Sequence, residues 1–340
     1  MSLLEVSGLR VEFDTEGGTV IAVKDVSFDL QPGEIVALVG ESGCGKSVTA
    51  MAIPRLLEAG TRIGGRISLD GVDLATRSER ELQQVRGKEI SVVFQEPMTS
   101  LNPAYPVGRQ VAEVIKVHES LPAKAVRERV VELLELVGIP DARERMKAYP
   151  HELSGGMRQR VMIAIAVACN PKVLIADEPT TALDVTIQAA ILDVIRRLRD
   201  TLGTAVVLIT HDLGVVAEVA DRVVVMYSGR RVEQAPTAEL FARPQHPYTH
   251  GLLGALPGRA VERDGRRRLT EIPGLVPPPT SDPDECQFAA RCPRATAECS
   301  AARPGLTDVL PLHQVACYHP GGTADRDSVA AGTERKAAHD

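Results

Sequence analysis

Apolar and polar positions alternate loosely from Leu3 to Phe13, which predicts a strand, and Asp14–Gly18 supplies a polar turn. A second strand is expected over Val20–Leu30, with Val26, Phe28 and Leu30 sharing one face. Ile35–Val39 is apolar at every position, and the amphipathic stretch Val48–Leu57 follows one glycine-rich loop later. Short strands are predicted at Arg66–Leu69 and Ile90–Phe94. The period becomes helical over Val107–Val117 and Lys124–Val137, and Ser154-Gly155-Gly156 opens a further helix that runs to Cys169. Two apolar strands, Val173–Ala176 and Ala205–Ile209, flank a long amphipathic helix over Thr186–Leu202. Val223–Tyr227 and Arg230–Gln234 predict a hairpin across Ser228-Gly229. Strands that alternate with helices and are apolar throughout predict an α/β fold, with a mainly parallel sheet covered on both faces. The antiparallel signals cluster at the N-terminus.

The pattern changes near Leu256. Residues 257–283 read as a linker, with a charged run over Arg259–Arg268 and three prolines at 277–279. The Arg266-Arg267-Arg268 run is expected to be solvated. Residues 284–320 hold four cysteines and little periodicity, and 321–340 read as a disordered polar tail. The predicted domains are therefore 1–256, a linker, and a small Cys-rich extension. The composition, 44% hydrophobic and 25% charged, suits a globular core. A net charge of −6 offers no bulk basic surface for nucleic acid. Met1–Glu5 lacks a secretory pattern, and the longest apolar run, Val161–Cys169, is too short to span a membrane. A cytoplasmic, reducing setting is expected.

Gly40-Glu41-Ser42-Gly43-Cys44-Gly45-Lys46-Ser47 reads G-x-x-x-x-G-K-S, between a predicted strand and a predicted helix. That context suits a phosphate-binding loop. Glycine lets backbone N–H groups turn inward around an anion, and the helix that follows directs its positive end at the same phosphates. Lys46 can reach the β/γ oxygens and Ser47 can ligate Mg²⁺. Candidate nucleotide contacts are Gly40, Ser42, Gly43, Cys44, Gly45, Lys46, Ser47 and Val48. Asp177 ends the apolar strand 173–176, where it can hold Mg²⁺, and the adjacent Glu178 can polarise an attacking water.

Leu153-Ser154-Gly155-Gly156-Met157-Arg158-Gln159-Arg160 resembles the LSGGQ-type signature of ATP-binding cassette (ABC) ATPases, with Met157 where Gln is commonest. Phe94-Gln95 looks like the family's Q-loop, Thr181-Ala182-Leu183-Asp184 like its D-loop, and Thr210-His211-Asp212 like its switch histidine. With the phosphate loop and Asp177-Glu178, these occur in family order across about residues 3–255. The resemblance implies a phosphate-loop core, an N-terminal antiparallel subdomain and a helical subdomain over about 98–165. It implies that Ser154, Gly155 and Gly156 complete a partner's site, so that two nucleotides lie between two cassettes. Glu178 would be the base, His211 would hold the γ-phosphate, Gln95 would contact Mg²⁺ and water, Asp184 would lie at the nucleotide, and Phe13 would stack on adenine.

Gln95–Pro103, Ala176–Val185 and His246-Pro247-Tyr248-Thr249 resemble the ATPase subunits of oligopeptide and dipeptide permeases. That family implies peptide import, or import of nickel or another small solute. The implied partners are a second cassette, commonly a paralogue, two transmembrane permease subunits and an extracellular or periplasmic solute-binding protein. The chain would lie on the cytoplasmic face of the membrane. A soluble ABC ATPase of DNA repair or translation is the competing reading, but the chain has one cassette, no long heptad insertion and no basic patch.

Cys286, Cys292, Cys299 and Cys317 are spaced C-x5-C-x6-C-x17-C, without a C-x-x-C pair. Four soft thiolates in a reducing compartment favour a metal or cluster over disulfides. Some members of the resembled family carry a 4Fe–4S cluster in this tail, so iron–sulfur is expected here. Zinc, with His313 and His319 as further ligands, and free thiols or disulfides are the alternatives.

Overall fold

The computed structural model describes residues 2–94, 100–180, 184–256, 261–263, 266–268, 272–280 and 282–321. The N-terminal half begins with β1 (Leu4–Thr15), β2 (Gly18–Leu30) and β3 (Ile35–Val39). Helix α1 (Lys46–Ala52), β4 (Arg62–Leu69), β5 (Val72–Asp73), α2 (Glu79–Val85) and β6 (Ile90–Val93) follow. A run of helices comes next: α3 (Val107–His118), α4 (Ala123–Leu136), α5 (Ala142–Arg145) and α6 (Gly155–Ala166). The chain returns to the sheet with β7 (Val173–Asp177), α7 (Val185–Leu202), β8 (Ala205–Ile209), α8 (Leu213–Val219), β9 (Arg222–Tyr227) and β10 (Arg230–Pro236). Helices α9 (Thr237–Ala242) and α10 (Pro247–Gly254) end this part.

The strand order is β5-β4-β1-β2-β10-β9-β3-β8-β7-β6. Strands β3, β6, β7 and β8 pair in parallel, and β9 joins β3 in parallel. Every residue of β3, β7 and β8 is buried, as expected for strands covered on both faces. The antiparallel group β1, β2, β4 and β5 adjoins this core through a parallel contact of β2 with β10. Helices α3, α4, α6 and α7 pack over one face through residues such as Val111, Leu134, Val161 and Ile195. The expected helical subdomain is built this way: apolar positions at helical spacing bury one stripe against the next helix.

The C-terminal extension is joined to this sheet. Strands β11 (Val261–Arg263) and β12 (Arg266–Arg268) form a separate antiparallel pair within the expected linker. After helix α11 (Ala297–Ala301), β13 (Thr307–Leu310) pairs with β14 (His313–Val315), and β14 pairs with β10. His313 Nε2 lies 2.7 Å from Glu233 Oε1, with both side chains fully buried. Glu233 also accepts from the backbone N–H groups of Gln245 and His246. Burial pushes the Glu233 carboxyl up, but His313 and these other donors outweigh it, and its pKa lies below the ordinary value.

Candidate active site

The phosphate loop is shaped by two close approaches that only glycine permits. Gly40 has φ +153°, and a Cβ there would stand 2.2 Å from the carbonyl oxygen of Met226 on β9. Gly45 has φ +97°, and its Cβ would meet the carbonyl oxygen of Ala22 on β2 at 2.5 Å. Gly45 is also the N-cap of α1, so the helix begins at Lys46, aimed into the loop. Lys46 is 5% exposed, and its ammonium donates to the carbonyls of Gly40 at 2.8 Å and Glu41 at 3.0 Å.

Ser47 Oγ donates to Asp177 Oδ1 at 3.0 Å. Asp177 is buried at the end of β7. Burial raises its carboxyl pKa above the ordinary value; the Ser47 hydrogen bond opposes the shift and the charge of Glu178 adds to it. A desolvated carboxylate beside a hydroxyl is a pair of hard oxygen donors that fits Mg²⁺. The next residue, Glu178, has φ +48°, a left-handed conformation that costs a non-glycine residue on the order of 1–3 kcal/mol. Its side chain is 16% exposed, and its Oε1 lies 3.4 Å from His211 Nδ1. His211 follows β8, and the two strand ends bring the pair to the mouth of a cavity of about 590 Å³. Val20, Ala22, Lys46, Ser47 and Pro279 line the rest of that cavity together with Ser42, Gly43, Gly45 and Val48.

Other expected residues stand elsewhere. Gly40 and Cys44 are buried within the loop, and Cys44 has its thiol pKa raised by burial. Phe13 pairs with Val20 across β1 and β2 and packs on the core, outside the cavity lining. Ser154 caps α6 by accepting from the N–H of Met157 at 3.3 Å. Ser154 and Gly155 are exposed and do not line the cavity. Gly155 has open space where a Cβ would go, while Gly156 is held close to Ile187 of α7. Asp184 caps α7, its Oδ1 accepting from the N–H of Ile187 at 3.0 Å. Gln95 and Thr181–Leu183 lie outside the described residues.

A family profile described as ABC transporter matches residues 23–181. A profile for the oligopeptide/dipeptide transporter C-terminal region matches residues 232–299. A Sinorhizobium fredii protein named as a probable peptide ABC transporter ATP-binding protein is 51% identical, over 93% of this chain and 94% of its own. The chain belongs to the ABC transporter ATP-binding proteins. A Brucella ovis protein named as a peptide import ATP-binding protein is 52% identical to this ABC ATPase, over 93% of this chain and 96% of its own. Among solved structures, a dimeric, post-hydrolysis form of the cassette MJ0796 bound to ADP and Pi superposes with TM-score 0.62 at 26% identity. It covers 69% of this chain and 98% of its own. CbiO1 of Clostridium perfringens, part of the ABC transporter complex cbiONQ, gives TM-score 0.61 at 31% identity, over 71% and 91%.

The side-chain arrangement in the tail of this ABC ATPase gives the expected metal site no support. Among the described residues, no group of three or more His, Cys, Asp or Glu side chains is arranged to hold a metal. Among the described residues, none of the four tail cysteines is joined in a disulfide. Two of them are linked through the backbone, the Cys286 N–H donating to the Cys299 carbonyl at 2.9 Å. Burial raises the Cys286 thiol pKa, and Cys299 and Cys292 raise it further. Burial likewise pushes Cys317 up to about 11, with Cys286 and Cys292 adding to the shift.

Three residues that border or support the site carried no signal of their own in the sequence. Pro279 borders the cavity, and its carbonyl accepts from the N–H of Ile21 at 2.9 Å. Tyr248, fully buried on α10, accepts from the N–H of Glu41 at 2.7 Å. Arg291 grips the Glu41 carboxylate from the C-terminal extension. Tyr248 sits in the His246–Thr249 motif, whose family resemblance was the only pointer to it. No described helix is long and apolar enough to cross a membrane.

Proposed function

We propose that this ABC ATPase powers peptide import as one of two cassettes on the cytoplasmic face of a pair of transmembrane permease subunits. The second cassette is a paralogue, and an external solute-binding protein delivers peptide to the permease. The observation that carries the reading is the division of the site. Ser42, Gly43, Gly45, Lys46, Ser47, Glu178 and His211 line one cavity and Asp177 accepts a hydrogen bond from Ser47, whereas Ser154 and Gly155 stand exposed outside that cavity. A helix start with free N–H groups suits an anion supplied by another chain. The dimeric state of the MJ0796 cassette supports the same arrangement, and the names of the Sinorhizobium and Brucella relatives support peptide as cargo.

In this mechanism Lys46 and the N-terminus of α1 bind the phosphates, and Ser47 and Asp177 hold Mg²⁺, which neutralises phosphate charge when bound. Glu178 accepts a proton from the water whose oxygen attacks the γ-phosphorus as the bond to the ADP oxygen breaks. His211 holds Glu178 in place and contacts the γ-phosphate. Gln95 contacts Mg²⁺ and water, and Phe13 stacks on adenine. Asp184 and the partner's signature turn close the pocket. Uptake of labelled dipeptide or oligopeptide by cells deleted for this chain tests the reading. Peptide uptake is expected to be lost and restored by the intact gene; loss of nickel uptake with peptide uptake intact would assign the alternative cargo. The tail thiols are proposed to bind a 4Fe–4S cluster after local rearrangement, with zinc as the alternative. The Cys286 N–H bonded to the Cys299 carbonyl at 2.9 Å supports this, and assays of iron, sulfide and zinc on anaerobically purified protein test it.

A further inference from the structure

Glu41 is a carboxylate inside a loop built to receive a triphosphate, and every polar part of it is taken. Its N–H donates to the Tyr248 hydroxyl at 2.7 Å. Its carbonyl accepts from Lys46 Nζ at 3.0 Å and from the N–H of Cys44 at 3.3 Å. Its side chain is bound at two points by Arg291: Nη1 to Oε2 at 2.7 Å and Nη2 to Oε1 at 2.9 Å. Arg291 lies 250 residues further along the chain, immediately before Cys292, and is 6% exposed. Its remaining donors are also fixed: Nε donates to the Pro273 carbonyl at 2.9 Å, Nη2 to the Ile272 carbonyl at 3.3 Å and Nη1 to the Tyr227 hydroxyl at 3.4 Å. The aromatic rings of Tyr227, Tyr248 and Phe288 pack beside it, with centroids 4.7 to 5.5 Å apart.

We propose that Arg291 is a positioning residue for the phosphate loop: it cancels the charge of Glu41 and fixes that residue, so the C-terminal extension sets nucleotide affinity. The physical reason is electrostatic. An unpaired carboxylate within the phosphate loop would repel the phosphates, and in a partly buried loop that repulsion is poorly screened. A planar guanidinium meets both carboxylate oxygens at once, which neutralises the charge and removes the rotamer freedom of Glu41 together. Arg291 touches no reacting atom, so its effect falls on binding and leaves the chemical step alone.

The proposal rests on the reading that this loop binds ATP, and the test separates the two. Mg-ATP affinity is measured on the full chain and on Arg291→Gln, and steady-state turnover on each of them in complex with the second cassette. The dissociation constant and KM are expected to rise about tenfold with kcat within about twofold. Adding Glu41→Gln to that variant removes the exposed charge, and affinity is expected to recover to within about threefold of the parent. A folded Arg291→Gln protein with a lowered melting temperature but parental affinity would show a purely structural role and overturn the proposal. So would a double variant no better than the single one. Should Arg291→Gln not fold, Arg291→Lys carries the test, because one ammonium cannot span both oxygens. A rise of about two- to fivefold is then expected, and no rise overturns the proposal. A parent chain that fails to bind Mg-ATP would overturn the functional reading along with it.

Discussion

Loop 40–47 and turn 154–156 both place glycine and serine at the start of a helix, yet the chain supports them in opposite ways. Around the loop, Met226 and Ala22 press on the glycines, Lys46 bonds back to two carbonyls, and Tyr248 and Arg291 fix Glu41. Around the turn, Gly156 is packed against Ile187, but Gly155 faces open space and Ser154 is exposed. The same local chemistry, free N–H groups at a positive helix end, is thus preorganised in one place and presented outward in the other. Glycine in the loop answers to this chain's own packing, whereas nothing among the described residues demands glycine at 155.

Three changes test that contrast, the largest effect first. Glu178→Gln alters the internally supported side. Turnover is expected to fall by at least about a hundredfold with ATP binding retained, and ATP-bound dimer is expected to accumulate in size-exclusion chromatography. Parental turnover would remove Glu178 from its assigned role. Gly155→Asp alters the outward side by placing a carboxylate at a helix start. Binding of ATP to the isolated chain is expected to match the parent while turnover drops on the order of tenfold or more. An equal loss of affinity in the isolated chain would mean the turn serves its own loop, and the contrast would be void.

A third change, read in stability and not in turnover, sharpens the comparison from the side of the loop's supports. His246 caps α10, the helix that carries Tyr248, through an Nδ1 that accepts from the Tyr248 N–H at 3.0 Å. Complete burial pushes its pKa down from 6.5 to about 4. As pH falls through 6.5 the unfolded chain takes up a proton before the folded one does. This histidine's contribution to stability is therefore full above pH 6.5 and is lost progressively down to about pH 4, by about 3 kcal/mol in total. Chemical denaturation across that range measures it. His246→Asn, which keeps an acceptor at the cap, is expected to flatten the slope.

Much of this was legible from residue order. The apolar strands at 35–39, 173–177 and 205–209 announced themselves because they are buried on both faces and, short of the carboxylate that ends the second, carry no polar position. The loop and Asp177 were legible because a motif and a strand end are local signals. Strand β14 was not, since three residues carry too short an alternation to register. Neither were Tyr248 and Arg291, whose contacts with Glu41 span 207 and 250 residues. An arginine in a charged and cysteine-bearing stretch reads as surface until the partner that buries it is known. The cysteine spacing suggested a ready ligand set, but among the described residues no group of such side chains is arranged to hold a metal.

The Glu41–Arg291 pair also imposes an order on biosynthesis. The loop leaves the ribosome early, but its guanidinium brace is translated 250 residues later. At elongation rates of roughly 5–20 residues per second, the nascent site waits roughly ten to fifty seconds for that brace. Until then the cassette is a half-furnished enzyme, exposed to its cellular ATP pool without the charge balance that the finished protein carries.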